Sequence, residues 1–150
     1  MRIVGIGFIV VVLVGGAIIG FLFRDQLTGS ATELRVGDCF DLPTNLEEVK
    51  DVQHHPCTEP HDAEVFVVRD YEGATDYPTT VAFDNWVNEQ CTGDAFAAYV
   101  GATYDSREDV GAGYFYPLED GWKQGDHEMV CYLVPTAGGK VSTSYRATSN

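Results

Sequence analysis

Pro56-Cys57-Thr58-Glu59-Pro60-His61-Asp62-Ala63-Glu64-Val65-Phe66-Val67-Val68-Arg69-Asp70 is the stretch on which the fold turns. Its first half sets two prolines around a cysteine, and prolines pre-set the backbone for turns. Its second half is β-branched and aromatic, and the near-continuous apolarity from Val65 to Val68 predicts a central strand over Ala63 to Asp70. The run also carries a thiol, an imidazole and the carboxylates of Glu59, Asp62 and Glu64, so it is the first place to look for chemistry.

Working outward, Phe83, Trp86, Val87 and Cys91 recur at spacings of three and four, which predicts a helix capped by Thr79 or Thr80 and ended by Gly93. Asp94 then caps a second helix carrying Phe96, Tyr99 and Val100, stopped by Gly101. Leu34 to Leu42 reads as a short strand broken at Gly37-Asp38. Tyr114 to Leu118, Glu128 to Pro135 and Lys140 to Arg146 read as three more, the last two joined as a hairpin through Ala137-Gly138-Gly139. Gly111-Ala112-Gly113 reads as a loop, since no Lys-Ser pair follows to make a phosphate cradle. The expected class is α+β: a small antiparallel sheet with two short helices on one side, preceded by an N-terminal transmembrane helix.

That last element rests on residues 3 to 23, 21 consecutive Ile, Val, Leu, Phe, Gly or Ala residues without a charge. About 20 such residues span a hydrocarbon core. Fifteen of them are Ile, Val, Leu or Phe, each favourable by roughly 0.3 to 0.6 kcal/mol at the bilayer centre, which outweighs the five glycines. The run exceeds the ~7 to 15 residues of a signal-peptide core, so a retained anchor is expected over a cleaved leader. Gly16 and Gly20 form a GxxxG pair suited to a lateral dimer. The expected organisation is an anchor over 1–24, a short linker over 25–33, a folded domain over 34–146 and a tail over 147–150.

Orientation follows from the cysteines, because Arg2 and Arg24 flank the span almost evenly. Cys39, Cys57, Cys91 and Cys131 all come after it, with no CxxC pair, a pattern that favours two disulfides in an oxidising compartment. The domain is therefore expected outside the plasma membrane, on a single-pass protein. Four cysteines allow three connectivities. Pairing in chain order closes loops of about 18 and 40 residues, stabilising by roughly 3 and 4 kcal/mol in the chain-entropy model.

Residues 33 to 150 hold 22 acidic and 7 basic side chains, a net charge of −15. Such a surface repels phosphate backbones, which excludes nucleic acid as an expected partner.

The strings Val36-Gly37-Asp38-Cys39-Phe40 and Pro56 to Glu64, then Cys91 with Phe96, and Trp122 with Gly125-Asp126 and Cys131, resemble the septum-formation domain family. The resemblance covers roughly residues 34 to 146. It implies a small membrane-anchored, extracytoplasmic protein of the actinobacterial type, with envelope or division proteins as partners. It brings no active site with it, and no cofactor is implied.

The chemistry of the motif leads to competing expectations. His54, His61 and Glu64 have spacing that could serve a metal, and Cys57 would join them only as a reduced thiolate. His61 beside Glu59, Asp62 or Glu64 could do acid/base work, the basis of an alternative reading as an extracytoplasmic hydrolase. The favoured expectation is structural: Pro56 and Pro60 shape a turn, a bridge pins it, and His61 and Asp62 bond local backbone to launch the strand. The domain is then a binding module without catalysis, with Glu59, His61, Asp62, Glu64, Trp122 and Asp126 as its motif residues. Two tyrosines, Tyr114 and Tyr116, would share one strand face and offer an aromatic grip.

Overall fold

The computed structural model describes residues 28–30, 33–44, 49 and 51–148; the apolar run 3–23 lies outside them, as do the tail residues 149 and 150. Among the described residues no helix is long and apolar enough to cross a membrane. Six strands form one antiparallel sheet there: β1 (Thr28–Ser30), β2 (Cys39–Asp41), β3 (Asp51–His55), β4 (Ala63–Asp70), β5 (Val110–Phe115) and β6 (Glu128–Pro135). Their spatial order is β1-β3-β2-β4-β6-β5.

The eight apolar-rich residues of β4 become a central strand, between β2 and β6, because both of its faces are buried. A register shift between Val65 and Val67 leaves Phe66 as an extra residue against β6. That irregularity lets Phe66 and Val67, neighbours in sequence, join the same core, while Val65 belongs to the other.

One core lies between the sheet and two helices, α1 (Thr80–Gln90) and α2 (Asp94–Val100), and contains Phe66, Val67, Phe96, Tyr99 and Leu133. Thr79 caps α1 through Oγ1, which accepts from the Ala82 N–H at 3.3 Å. Gly93 occupies the N-cap of α2 and Gly101, at φ 78°, ends it in the left-handed conformation. Cys91, at the C-cap of α1, is bridged to Cys131 of β6, so the disulfide ties helix to sheet.

The second core, on the opposite face, gathers Leu34, Phe40, Val52, Val65 and Tyr132. Phe40 on β2 and Phe115 on β5 are three strand positions apart, about 14 Å in a flat sheet. Their ring centroids are 6.0 Å apart, so the sheet coils on itself around this core.

Several elements differ from the sequence reading. Gly111-Ala112-Gly113 is part of β5, not a loop, and the strand ends at Phe115 instead of running from Tyr114 to Leu118. The reason is Tyr132, whose ring lies where a Cβ on Gly113 would sit and packs on Phe115 at 4.7 Å. An aromatic ring therefore fills the space that the glycine leaves open. Thr28–Ser30, read as linker, pairs with β3. Asp51–His55 forms a strand with Val52 and His54 turned inward, and Glu119–Lys123 forms a short helix, α3. Lys140 to Arg146 does not return as a hairpin on β6, since β4 and β5 already occupy both sides of that strand. It crosses the molecule and meets the Pro56–Glu64 motif through one bridge, His61 to Val141.

Candidate functional site

The motif begins as a tight turn, the Glu59 N–H donating to Pro56 O at 2.8 Å. Cys57 is bridged to Cys39 at the start of β2, pinning the turn to the sheet. Both disulfides follow chain order, and no described cysteine is free.

His61 follows the turn and is 0 % exposed. Its Nδ1 lies 2.8 Å from Glu59 O. A carbonyl can only accept, so Nδ1 carries a proton, and in the neutral ring Nε2 would carry the lone pair. Among the described residues the buried Nε2 has no hydrogen-bond partner. The backbone of His61 exchanges two hydrogen bonds with Val141, at 2.9 and 3.0 Å. Asp62 accepts from the Leu42 N–H at 3.1 Å and from Lys140 Nζ at 3.3 Å.

Glu64, also 0 % exposed, is the centre of the arrangement. One carboxylate oxygen accepts from Tyr99 Oη and Ser144 Oγ, each at 2.6 Å, and the other from the Tyr145 N–H at 2.6 Å. A buried carboxylate is tolerated only when its lone pairs are met, and three donors from two distant segments meet them here. Burial raises the Tyr99 phenol, and the hydrogen bond to Glu64 raises it further. Arg146 sits over the Tyr99 ring at 4.8 Å, and Ala147 donates to Tyr99 O at 2.8 Å. Arg146 also passes over Gly37, which turns at φ 97° where a Cβ would crowd the guanidinium.

Residues 140–147 thus form a strap across the motif, held by the His61 backbone and by the side chains of Asp62 and Glu64. Lys140 secures the near end by pairing with Asp41 as well as Asp62. Burial raises the Asp41 carboxyl, but Lys140 and His55 outweigh it and hold the group below the ordinary range. His55 Nε2 lies 3.0 Å from Asp41 Oδ2, at ion-pair distance without hydrogen-bond alignment.

As a metal centre the motif is poorly equipped. Cys39, His61 and Glu64 bring ligand atoms within 4.8 Å of one another, and His54 is not part of that group. The sulfur is spent in a disulfide and both Glu64 oxygens accept hydrogen bonds, and of these three groups His61 Nε2 is the one without a partner among the described residues. His54 instead faces Asp38 from β3 at 3.9 Å.

Trp122 and Asp126 lie elsewhere. Trp122, on α3, is buried, donates to Thr75 O at 3.4 Å and stacks on His127 at 4.1 Å. Asp126 accepts from the Glu128 N–H at 3.2 Å. Burial and the charges of Asp126 and Asp70 raise the Glu128 carboxyl. Around Trp122 gather Tyr71, Tyr77 and Phe83, an aromatic cluster that reaches the surface at Tyr116, 5.0 Å from Phe83. Tyr114 and Tyr116 pair at 5.9 Å, as their alternation suggests. Tyr116 and Leu118 are each 46 % exposed and Val81 is 67 % exposed.

Sequence reasoning missed Tyr99, Ser144 and Tyr145 as partners of the motif. Tyr99 reads as an apolar helix position, and nothing local marks the other two as donors to a carboxylate 80 residues earlier. Comparison with known proteins found one family model, described as septum formation, that matches residues 36–150. No curated protein and no solved structure matches.

Proposed function

The chain belongs to the septum-formation family, and on that premise we propose that it is a non-catalytic binding module of the cell envelope. In this reading residues 3–23 anchor it in the plasma membrane as a single pass, and residues 34–146 stand on the extracytoplasmic side, where they contact envelope or division proteins.

One observation carries the proposal: the motif's reactive groups are either bonded within the fold or buried in it. Both Glu64 oxygens accept internal donors, the cysteines are bridged, and His61 has no exposed surface. A hydrolase centred on His61 would need substrate to reach a fully buried ring. What faces solvent instead includes Tyr116, Leu118 and Val81 at one end of an acidic domain, and aromatic side chains are enriched where proteins meet.

The test is proximity labelling in dividing cells, with the labelling enzyme fused after residue 150. Division and envelope proteins are expected among the labelled neighbours. A set confined to cytosolic proteins would overturn the topology, and an envelope set without the division machinery would overturn the septal role.

A further inference from the structure

From the free edge of β5 we infer a docking site for an extended, basic segment of another protein, which adds there as a seventh strand. The inference rests on the binding-module reading and names where and what that module binds.

The register identifies the unpaired groups. Thr136 N–H donates to Asp109 O, and Gly111, Gly113 and Phe115 continue that alternation opposite Val134, Tyr132 and Val130. In an antiparallel pair the residues between them turn their N–H and C=O away. Ala112 and Tyr114, both partly exposed, therefore present a donor and an acceptor each to the outside of the sheet, while Val110, in the same phase, is buried in the helix-side core. No hydrogen bond among the described residues uses them.

Natural edge strands are protected by lysine, proline, bulges or shortness. β5 has six residues in unbroken register, no charge from Val110 to Tyr116, and no proline before Pro117. The opposite edge, β1, is three residues long. An unguarded edge is how a sheet recruits a strand from a partner.

Charge selects the occupant. Residues 104–123, which frame the edge, hold five acidic and two basic side chains. Both basic groups are engaged: Arg107 binds Asp109 through two bonds of 2.7 and 2.8 Å, and Lys123 pairs with Glu119 at 2.9 Å. A second copy of this domain would bring another −15 charges, whereas lysine or arginine on alternate positions of an incoming strand meets the acidic surplus. Those same side chains would lie along Tyr114 and Tyr116, where a cation gains from an aromatic face.

The probe is a blocked eight-residue peptide alternating valine and lysine, added to the full oxidised chain in zwitterionic detergent, with the valine–glutamate peptide as control. Expected are binding by the lysine peptide alone and new hydrogen-exchange protection at the amides of residues 112 and 114. Ala112→Pro removes an outward N–H that the fold does not use and should weaken binding at least tenfold; Tyr116→Lys, at an exposed position, should do the same should the proline variant fail to fold. Binding that both variants leave unchanged, protection that falls elsewhere, or an edge-dependent dimer in sedimentation would each overturn the proposal. Photo-crosslinkers placed in cells at residues 112, 116 and four distant surface positions separate the two readings. Capture only at the distant positions sinks the β5 site and leaves the binding module standing, and capture at none sinks both.

Discussion

The strap end of the domain and the aromatic end invert each other. At the strap, the residues with the most chemical potential in the sequence are turned inward: His61 and Glu64 are buried, Glu64 is held by Tyr99, Ser144 and Tyr145, and Cys39 and Cys57 are bridged. At the aromatic end, Tyr116, Leu118 and Val81 are exposed, and β5 has hydrogen-bonding groups that the fold does not use. A dense motif can therefore mark where a small domain is held together, and the surface left for partners can be plain in sequence. Small domains need such fastening because their cores are modest.

Substitutions that separate holding from binding test this contrast. The largest effect is expected from replacing Cys91 and Cys131 together by serine. Their loop of 40 residues corresponds to about 4 kcal/mol in the chain-entropy model, read from urea unfolding of the oxidised chain. Next comes Glu64→Ala, which strands the donors of Tyr99, Ser144 and Tyr145 and should cost roughly 3 kcal/mol while freeing residues 140–147 to proteolysis. An unaltered melting profile for this variant would break the comparison, because the motif would then not be the fastening.

Alkaline titration gives a smaller, signed effect. The folded protein holds the Tyr99 proton more tightly than the unfolded chain, whose tyrosines titrate near pH 10. The stability from this group is complete below pH 10 and declines above it, by up to about 1.4 kcal/mol per pH unit. Burial raises Tyr77, Tyr132 and Tyr145 as well, so Tyr99→Phe should reduce the slope of stability against pH without abolishing it. The smallest change is expected at the other end: Tyr116→Ala should alter stability by less than about 0.5 kcal/mol, as exposed positions do. A loss comparable to that of Glu64→Ala would erase the distinction between the two ends.

The strands β4 and β6 were legible because their own residues decide them: Val65 to Val68 and Met129 to Val134 are apolar and β-branched or aromatic enough to be strands in any context. The helices were legible from Phe83, Trp86 and Phe96, though the boundary at Gly93 fell on the cap of the second helix and not at the end of the first. β3 was not, since Asp-Val-Gln-His-His carries one apolar residue and becomes a strand by pairing with β1 and β2. β5 was misread because the ring that covers its glycine belongs to another strand. The strap was beyond local reading altogether: Ser144 and Tyr145 reach Glu64 across 80 and 81 positions. Propensity and periodicity see a window of about 11 to 18 residues. The candidate site was legible in the residues it would use, and the distant partners that satisfy them were not.

The strap also sets an order of events during synthesis. Ribosomes make a chain from its N-terminal side onward, so Glu64 exists for some 80 residues before Ser144 and Tyr145 do. Until they arrive, its carboxylate stays in water and β4 cannot complete its burial. A chain stalled before residue 140 is left with an open seam at the motif, visible to a protease, and only a chain that has passed Arg146 closes it. The clasp thereby doubles as proof of length, a record written into the fold that translation has run at least that far.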